Sequence, residues 1–119
     1  MATISKVALT GATSGGLPIS ATGTATAGAV TVHTAIAGTS SFDECWLWAS
    51  NISTTQSVLL TLEWGLANDA TGKLTQLLNP SEMVCVVPGI PLNNAKVIEA
   101  FASVADVINI VGYVNRITA

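Results

Sequence analysis

The chain has 119 residues, one domain's worth, since two halves would each be too small to hold a core. Half the residues are apolar and only 9% are charged, against about 25% in an ordinary soluble domain. Four basic and seven acidic side chains give a net charge of −3, and Lys6, Lys73, Lys96 and Arg116 are scattered singly, which argues against nucleic-acid binding by phosphate neutralisation. Mean hydropathy is +0.58, yet apolar runs such as Met83–Val87 fall far short of the roughly 20 residues that cross a bilayer. With one lysine, Lys6, and no continuous apolar segment, the N-terminus does not read as a signal peptide. The surface left by this composition is mostly Thr, Ser, Asn, Gly and Ala. Surface charge normally keeps monomers apart, so a chain this poor in it suits packing against its own copies or a larger assembly.

Residues 1–29 differ from the rest: 21 of the 29 are Gly, Ala, Ser or Thr. The apolar punctuation is Ile4, Val7 and Leu9, then Leu17 and Ile19 around Pro18. Such a stretch buries too little apolar area to build its own core. It is expected to be an extended arm whose backbone orders against another surface, with residues 30–119 forming the folded domain.

From Val30 the pattern becomes β. Val30 to Ile36 alternates apolar and polar residues and is rich in β-branched side chains, a strand signal. Gly38-Thr39-Ser40-Ser41 is a turn. Glu44 to Ser50 gives a second strand, with Trp46 and Trp48 on one face and Cys45, Leu47 and Ala49 on the other. Ser57 to Trp64 alternates most cleanly, placing Val58, Leu60, Leu62 and Trp64 together as core. The turn residues of 65–72 close it. Lys73–Leu78 and Glu82–Val87 read as short strands, and Pro88-Gly89-Ile90-Pro91 with Asn93-Asn94 as a rigid loop. Lys96 to Ile110 fits either a helix capped by Asn94 or two β-branched strands, and periodicity alone does not decide. Gly112 to Ile117 ends a strand. Seven or eight short strands at this spacing indicate an all-β chain, an antiparallel β-sandwich of jelly-roll type.

The residues supply no catalytic, cofactor-binding or metal-binding set. His33 is the only histidine and reads as an ordinary polar-face or interface residue of its strand. Asp43-Glu44 is the only adjacent acidic pair; strand neighbours point to opposite faces, so it reads as a solvated strand entrance rather than an acid–base pair. Gly11-Ala12-Thr13-Ser14-Gly15-Gly16 fails as a phosphate loop because Leu17 stands where the lysine belongs. Cys45 and Cys85 would bond only with Cα atoms within about 7 Å. In the absence of a cysteine framework they read as buried free thiols. Trp46 and Trp48 belong to core or to a subunit interface, where tryptophan is enriched; a sugar platform on those two is the weaker alternative, for want of convergent polar groups.

Several stretches resemble small virion proteins of tailed bacteriophages. They are His33-Thr34-Ala35, Thr39 to Glu44 leading into Trp46-Leu47-Trp48-Ala49, Leu60 to Gly65, Val86 to Gly89, and Ala100 to Ser103 continuing through Asn109 to Ile117. Together they cover most of residues 30–117. The resemblance implies a β-sandwich subunit of the particle, foremost a head decoration (cement) protein that binds the major capsid protein and its own copies, with a trimer favoured. It implies the capsid exterior as location after synthesis in the host cytoplasm, no enzymatic activity, no cofactor, no nucleic-acid partner and no membrane partner. It also favours a β-hairpin turning near Val104-Ala105-Asp106. Ile4, Val7, Leu9, Trp46 and Trp48 are the expected interface residues. The alternatives are a neck, tail or fibre-associated component and, behind it, a carbohydrate-binding sandwich module.

Overall fold

A computed structural model describes residues 2–119, and all of its regular structure is β apart from two three-residue 3₁₀ turns. The strands are β1 (Thr3–Ala8), β2 (Ile19–Ser20), β3 (Val30–Thr34), β4 (Phe42–Asn51), β5 (Val58–Trp64), β6 (Lys73–Leu78), β7 (Met83–Leu92), β8 (Val97–Ala102) and β9 (Ile108–Thr118). Every pairing is antiparallel. A front sheet has the order β1-β9-β4-β7, with β2 beside β9, and a back sheet the order β3-β8-β5-β6. No helix is long and apolar enough to cross a membrane among the described residues.

Period-two alternation builds the core. The front sheet turns Cys45, Leu47 and Ala49 of β4 and Ile108, Ile110 and Val114 of β9 inward. The back sheet answers with Val58, Leu60 and Leu62 of β5 and Ile98, Ala100 and Ala102 of β8. Alanines at 49, 100 and 102 share this core with leucines and isoleucines, a mix of small and large side chains of the kind close-packed interiors use.

The N-terminal segment carries two strands, β1 and β2, joined by a turn, and the surface they lie on is the chain's own. β1 pairs with β9 from Thr3↔Thr118 to Ala8↔Tyr113, and Ile19 pairs with Ile110. Leu9, Ile19 and Ala21 are buried in the core. Small residues allow the approach: a Cβ on Gly11 would lie 2.0 Å from the Thr31 carbonyl oxygen, whose neighbour, the Val32 carbonyl, accepts the Gly11 N–H at 2.9 Å. Residues 3–21 are thus built into the sandwich that residues 30–119 were expected to form alone.

Three other local expectations change. Pro88-Gly89-Ile90-Pro91 is no loop but the C-terminal half of β7. This strand pairs only with β4, so its prolines sit on a sheet edge, where a missing N–H costs no ladder bond. Register shifts at Gly89 and Val86 bulge it, and Gly89 takes a positive φ of 75°. The 96–110 segment is two strands turning over Ser103–Val107, not a helix; yet the two do not form a hairpin, because β8 lies in the back sheet and β9 in the front. Finally, Cys45 and Cys85 are both free thiols, but only Cys45 is buried.

Truncating the N-terminal anchors tests how far the first 21 residues belong to the fold. Leu9→Ala and Ile19→Ala should each lower the unfolding free energy in urea by about 2–4 kcal/mol. Wild-type stability in both variants would mean that the segment is dispensable to the sandwich.

Candidate functional site

β4 sends two chemically different rows to its two sides. Even-numbered residues from Phe42 to Ser50 face outward, and odd-numbered ones from Asp43 to Asn51 face the core. The outward row forms the centre of an apolar, aromatic front face. Trp46 and Trp48 have ring centroids 6.3 Å apart, and Tyr113 of β9 continues the row 6.2 Å from Trp48. The Trp46 ring rests on the bulge of β7: a Cβ at position 89 would come within 2.8 Å of it, so glycine is needed there for contact as well as for φ.

Of the charged side chains in the front-sheet strands, only Lys6 and Glu44 face outward, and both are engaged. Lys6 Nζ lies 4.5 Å from the Tyr113 ring centroid, a cation–π contact. Glu44 Oε1 accepts from Trp46 Nε1 at 2.8 Å and from Asn115 Nδ2 at 3.1 Å. The Trp46 bond, then the Asn115 bond, holds this carboxyl below its ordinary value against a small opposing effect of burial. Beside it, Phe42, Gly89, Pro91 and Ile117 enclose with Glu44 a shallow groove of about 290 Å³. Ile4 and Met83 extend the apolar surface, at 69% and 58% exposure.

The inward row begins with a charged residue. Asp43 is fully buried and is the meeting point of four donors. Arg116 Nε and Nη2 grip its two oxygens at 2.8 and 3.0 Å, the Ile36 N–H donates at 3.1 Å, and His33 Nε2 donates at 2.7 Å. The tautomer follows from the other ring nitrogen. Thr10 N–H donates to His33 Nδ1 at 3.2 Å, so Nδ1 is the acceptor and the ring proton sits on Nε2. Desolvation is the largest single influence on Asp43 and would raise it; the hydrogen bonds from Arg116, then His33, and the charge of Arg116 outweigh burial and hold the carboxyl below its ordinary 3.8.

This cluster corrects two sequence expectations. His33 is not an ordinary surface or interface residue, and Asp43 is not solvated: both are fully buried, His33 entering from β3 of the back sheet and Asp43 from the front. Only Glu44 of the acidic pair faces outward. The two neighbours do point to opposite faces, but Asp43 takes the inward one, because its polar partners come from positions as distant as Arg116.

The five expected interface residues separate. Ile4, Trp46 and Trp48 share the outer front face, Val7 packs inward against the core, and Leu9 is buried. Tyr113, Phe42 and Met83 join the face and were not anticipated. Tyr113 could have been found by carrying the alternation of Ile108, Ile110 and Val114 through β9, but its neighbour Trp46 is a matter of register, which the sequence does not print. Cys45 lies in the core, where burial and then the charges of Asp43 and Glu44 push its thiol up to about 12. Cys85 faces outward opposite Trp48. Among protein-family models, curated proteins and solved structures, no match to this chain is found.

Removing the hub charge gives a direct test of the buried cluster. Asp43→Asn should cost about 3 kcal/mol of stability at pH 7, since it leaves Arg116 without its counter-charge and sets an NH2 group against donors that bonded the second carboxylate oxygen. Because the folded carboxyl lies below its unfolded value, its contribution is complete above about pH 4–5 and is lost as pH falls through the folded value. The gap between wild type and Asp43→Asn should therefore narrow on acidification. A gap that is constant from pH 7 to pH 3 would contradict this assignment.

Proposed function

We propose that this chain is a structural protein of a bacteriophage virion, binding and stabilising the capsid lattice as a decoration (cement) subunit. The observation that carries the reading is the outer front face. It is a row of aromatic side chains with exposed Ile4, Phe42 and Met83, whose two charged groups are already satisfied within the sheet. Desolvating such a face against another protein costs little, and aromatic anchors dominate binding energy where they are centrally buried. A sheet face also docks with little loss of conformational entropy.

Connectivity adds support. Strand orders β1-β9-β4-β7 and β3-β8-β5-β6 pair the first strand with the last and then work inward to the β5–β6 hairpin. We read this nesting as a jelly roll, an architecture recurrent among viral capsid domains and lectins. The resemblance of residues 30–117 to phage virion proteins points the same way. The favoured partners are the chain's own copies, as a trimer, and the major capsid protein, on the exterior of the particle.

A glycan-binding module is the second reading, favoured by the Trp46–Trp48–Tyr113 row, since sugars stack on such platforms. Against it, Trp46 Nε1 and Glu44 Oε1 are spent on each other rather than left free for hydroxyl groups.

Light scattering on the full chain separates these readings: a trimer of about 36 kDa, three 12.1 kDa chains, fits cement, while a closed ring of five, six or twelve copies fits a neck or tail position. Phe42→Arg and Met83→Arg place charge on exposed side chains and should change stability by less than about 0.5 kcal/mol. Both should lower occupancy on purified capsids at least about tenfold, one decade being about 1.4 kcal/mol of lost binding. Undiminished occupancy would sink the assignment of this face, and quenching of tryptophan fluorescence by glycans would favour the module.

A further inference from the structure

Glu63 is the second deeply buried carboxylate, at 1% exposure, and unlike Asp43 it has no cationic partner among the described residues. Its Oε2 accepts from the Asn68 N–H at 2.6 Å and from the Thr26 hydroxyl at 3.2 Å, fastening two loops to the outer face of the back sheet. Its Oε1 is buried with no hydrogen-bond partner. No basic group answers it: the ion pairs among the described residues converge on Asp43. Lys73 is opposite Glu63 in the β5–β6 register, but its Nζ extends instead to the Phe101 ring, 6.0 Å from the centroid.

On its other flank Glu63 is opposite Glu99 of β8, so the two side chains stand on one face of adjacent strands. Cross-strand partners have Cβ atoms about 5 Å apart, and like charges placed so repel. A buried carboxylate oxygen without donor or counter-ion adds a desolvation cost to that repulsion. Two glutamates paired in register, one with an orphaned carboxylate oxygen, make a donor set that lacks a positive charge.

We propose that the Glu63–Glu99 pair binds a hard divalent cation of the calcium type, with Glu63 Oε1 and the Glu99 carboxylate as its anchoring ligands. The available donors are oxygens. No third His, Cys, Asp or Glu joins them among the described residues, so the set does not suit metals that seek imidazole or thiolate. Calcium accepts carboxylates, carbonyls and waters in a flexible shell, which two carboxylates can anchor without a full protein cage. The bound ion would cancel the Glu63–Glu99 repulsion and fix the Thr26 and Asn68 loops on the back sheet. This site lies on the sheet opposite the proposed docking face, and it stands or falls independently of the virion reading.

The test is the thermal midpoint of the full chain, stripped with EDTA and then titrated with calcium chloride at constant ionic strength. A saturable rise of roughly 5 °C or more is expected once calcium is about a hundredfold above its Kd. Glu63→Gln should abolish the rise. Glu99→Gln, at a half-buried position that tolerates the change, should fold and bind at least tenfold more weakly, so the question stays decidable even if Glu63→Gln does not fold. A wild-type midpoint indifferent to calcium would overturn the proposal, as would full calcium affinity in Glu99→Gln.

Discussion

The buried carboxylate of Asp43 ties together parts of the molecule that no other single group connects. Arg116 reaches it from β9, His33 from β3 in the opposite sheet, and the Ile36 N–H from the loop between β3 and β4. Through His33 Nδ1 the connection extends to the Thr10 N–H, and the Thr10 hydroxyl accepts the Thr34 N–H at 2.7 Å. A charge taken out of water is costly unless its lone pairs find donors, and here the donors come from both sheets and the loop at Ile36, one of them, His33, being held in turn by the N-terminal segment. The cluster therefore penalises any packing in which one of these parts is misplaced. That matters in a chain whose first 29 residues carry so little apolar surface of their own.

The same strand that delivers Asp43 to the interior presents Phe42, Glu44, Trp46 and Trp48 on the outside. Period two couples the two roles: a slip of one residue in β4 would expose Asp43 and bury the tryptophans. The inward hub thus also fixes the outer aromatic row, and the bulge at Gly89 shapes β7 to receive the Trp46 ring. With its Glu44 and Lys6 internally satisfied, the front face has little to gain from water or from a strongly charged partner. A protein surface of matching shape suits it better, which is the physical basis for reading it as an assembly face.

Much of the architecture was legible because alternation is a local signal. β4, β5 and β6 stand close to where the Trp46/Leu47, Val58/Leu60/Leu62 and Lys73–Leu78 patterns put them. What escaped depends on contacts distant in sequence. Asp43 looks solvent-facing until Arg116 and His33 arrive from 73 and 10 residues away. Pro88 and Pro91 look like loop residues until β7 is known to be an edge. The 96–110 segment reads equally as a helix or as two strands, and only the sheet assignment shows two strands, β8 and β9, that never pair. At the site, Trp46, Trp48 and Ile4 were visible, whereas Tyr113, Phe42 and Met83 needed register, and Leu9 was claimed by the core.

Amide hydrogen exchange on the native chain would test the role of the Asp43 hub most directly. If the hub locks the N-terminal segment to both sheets, the Thr10 and Ile36 amides open only with the whole fold, and they will exchange in step with core amides such as Leu47 and Val114. Exchange of Thr10 and Ile36 within minutes, while Leu47 and Val114 stay protected, would show that the loops move freely around the cluster and would contradict its place at the centre of the structure.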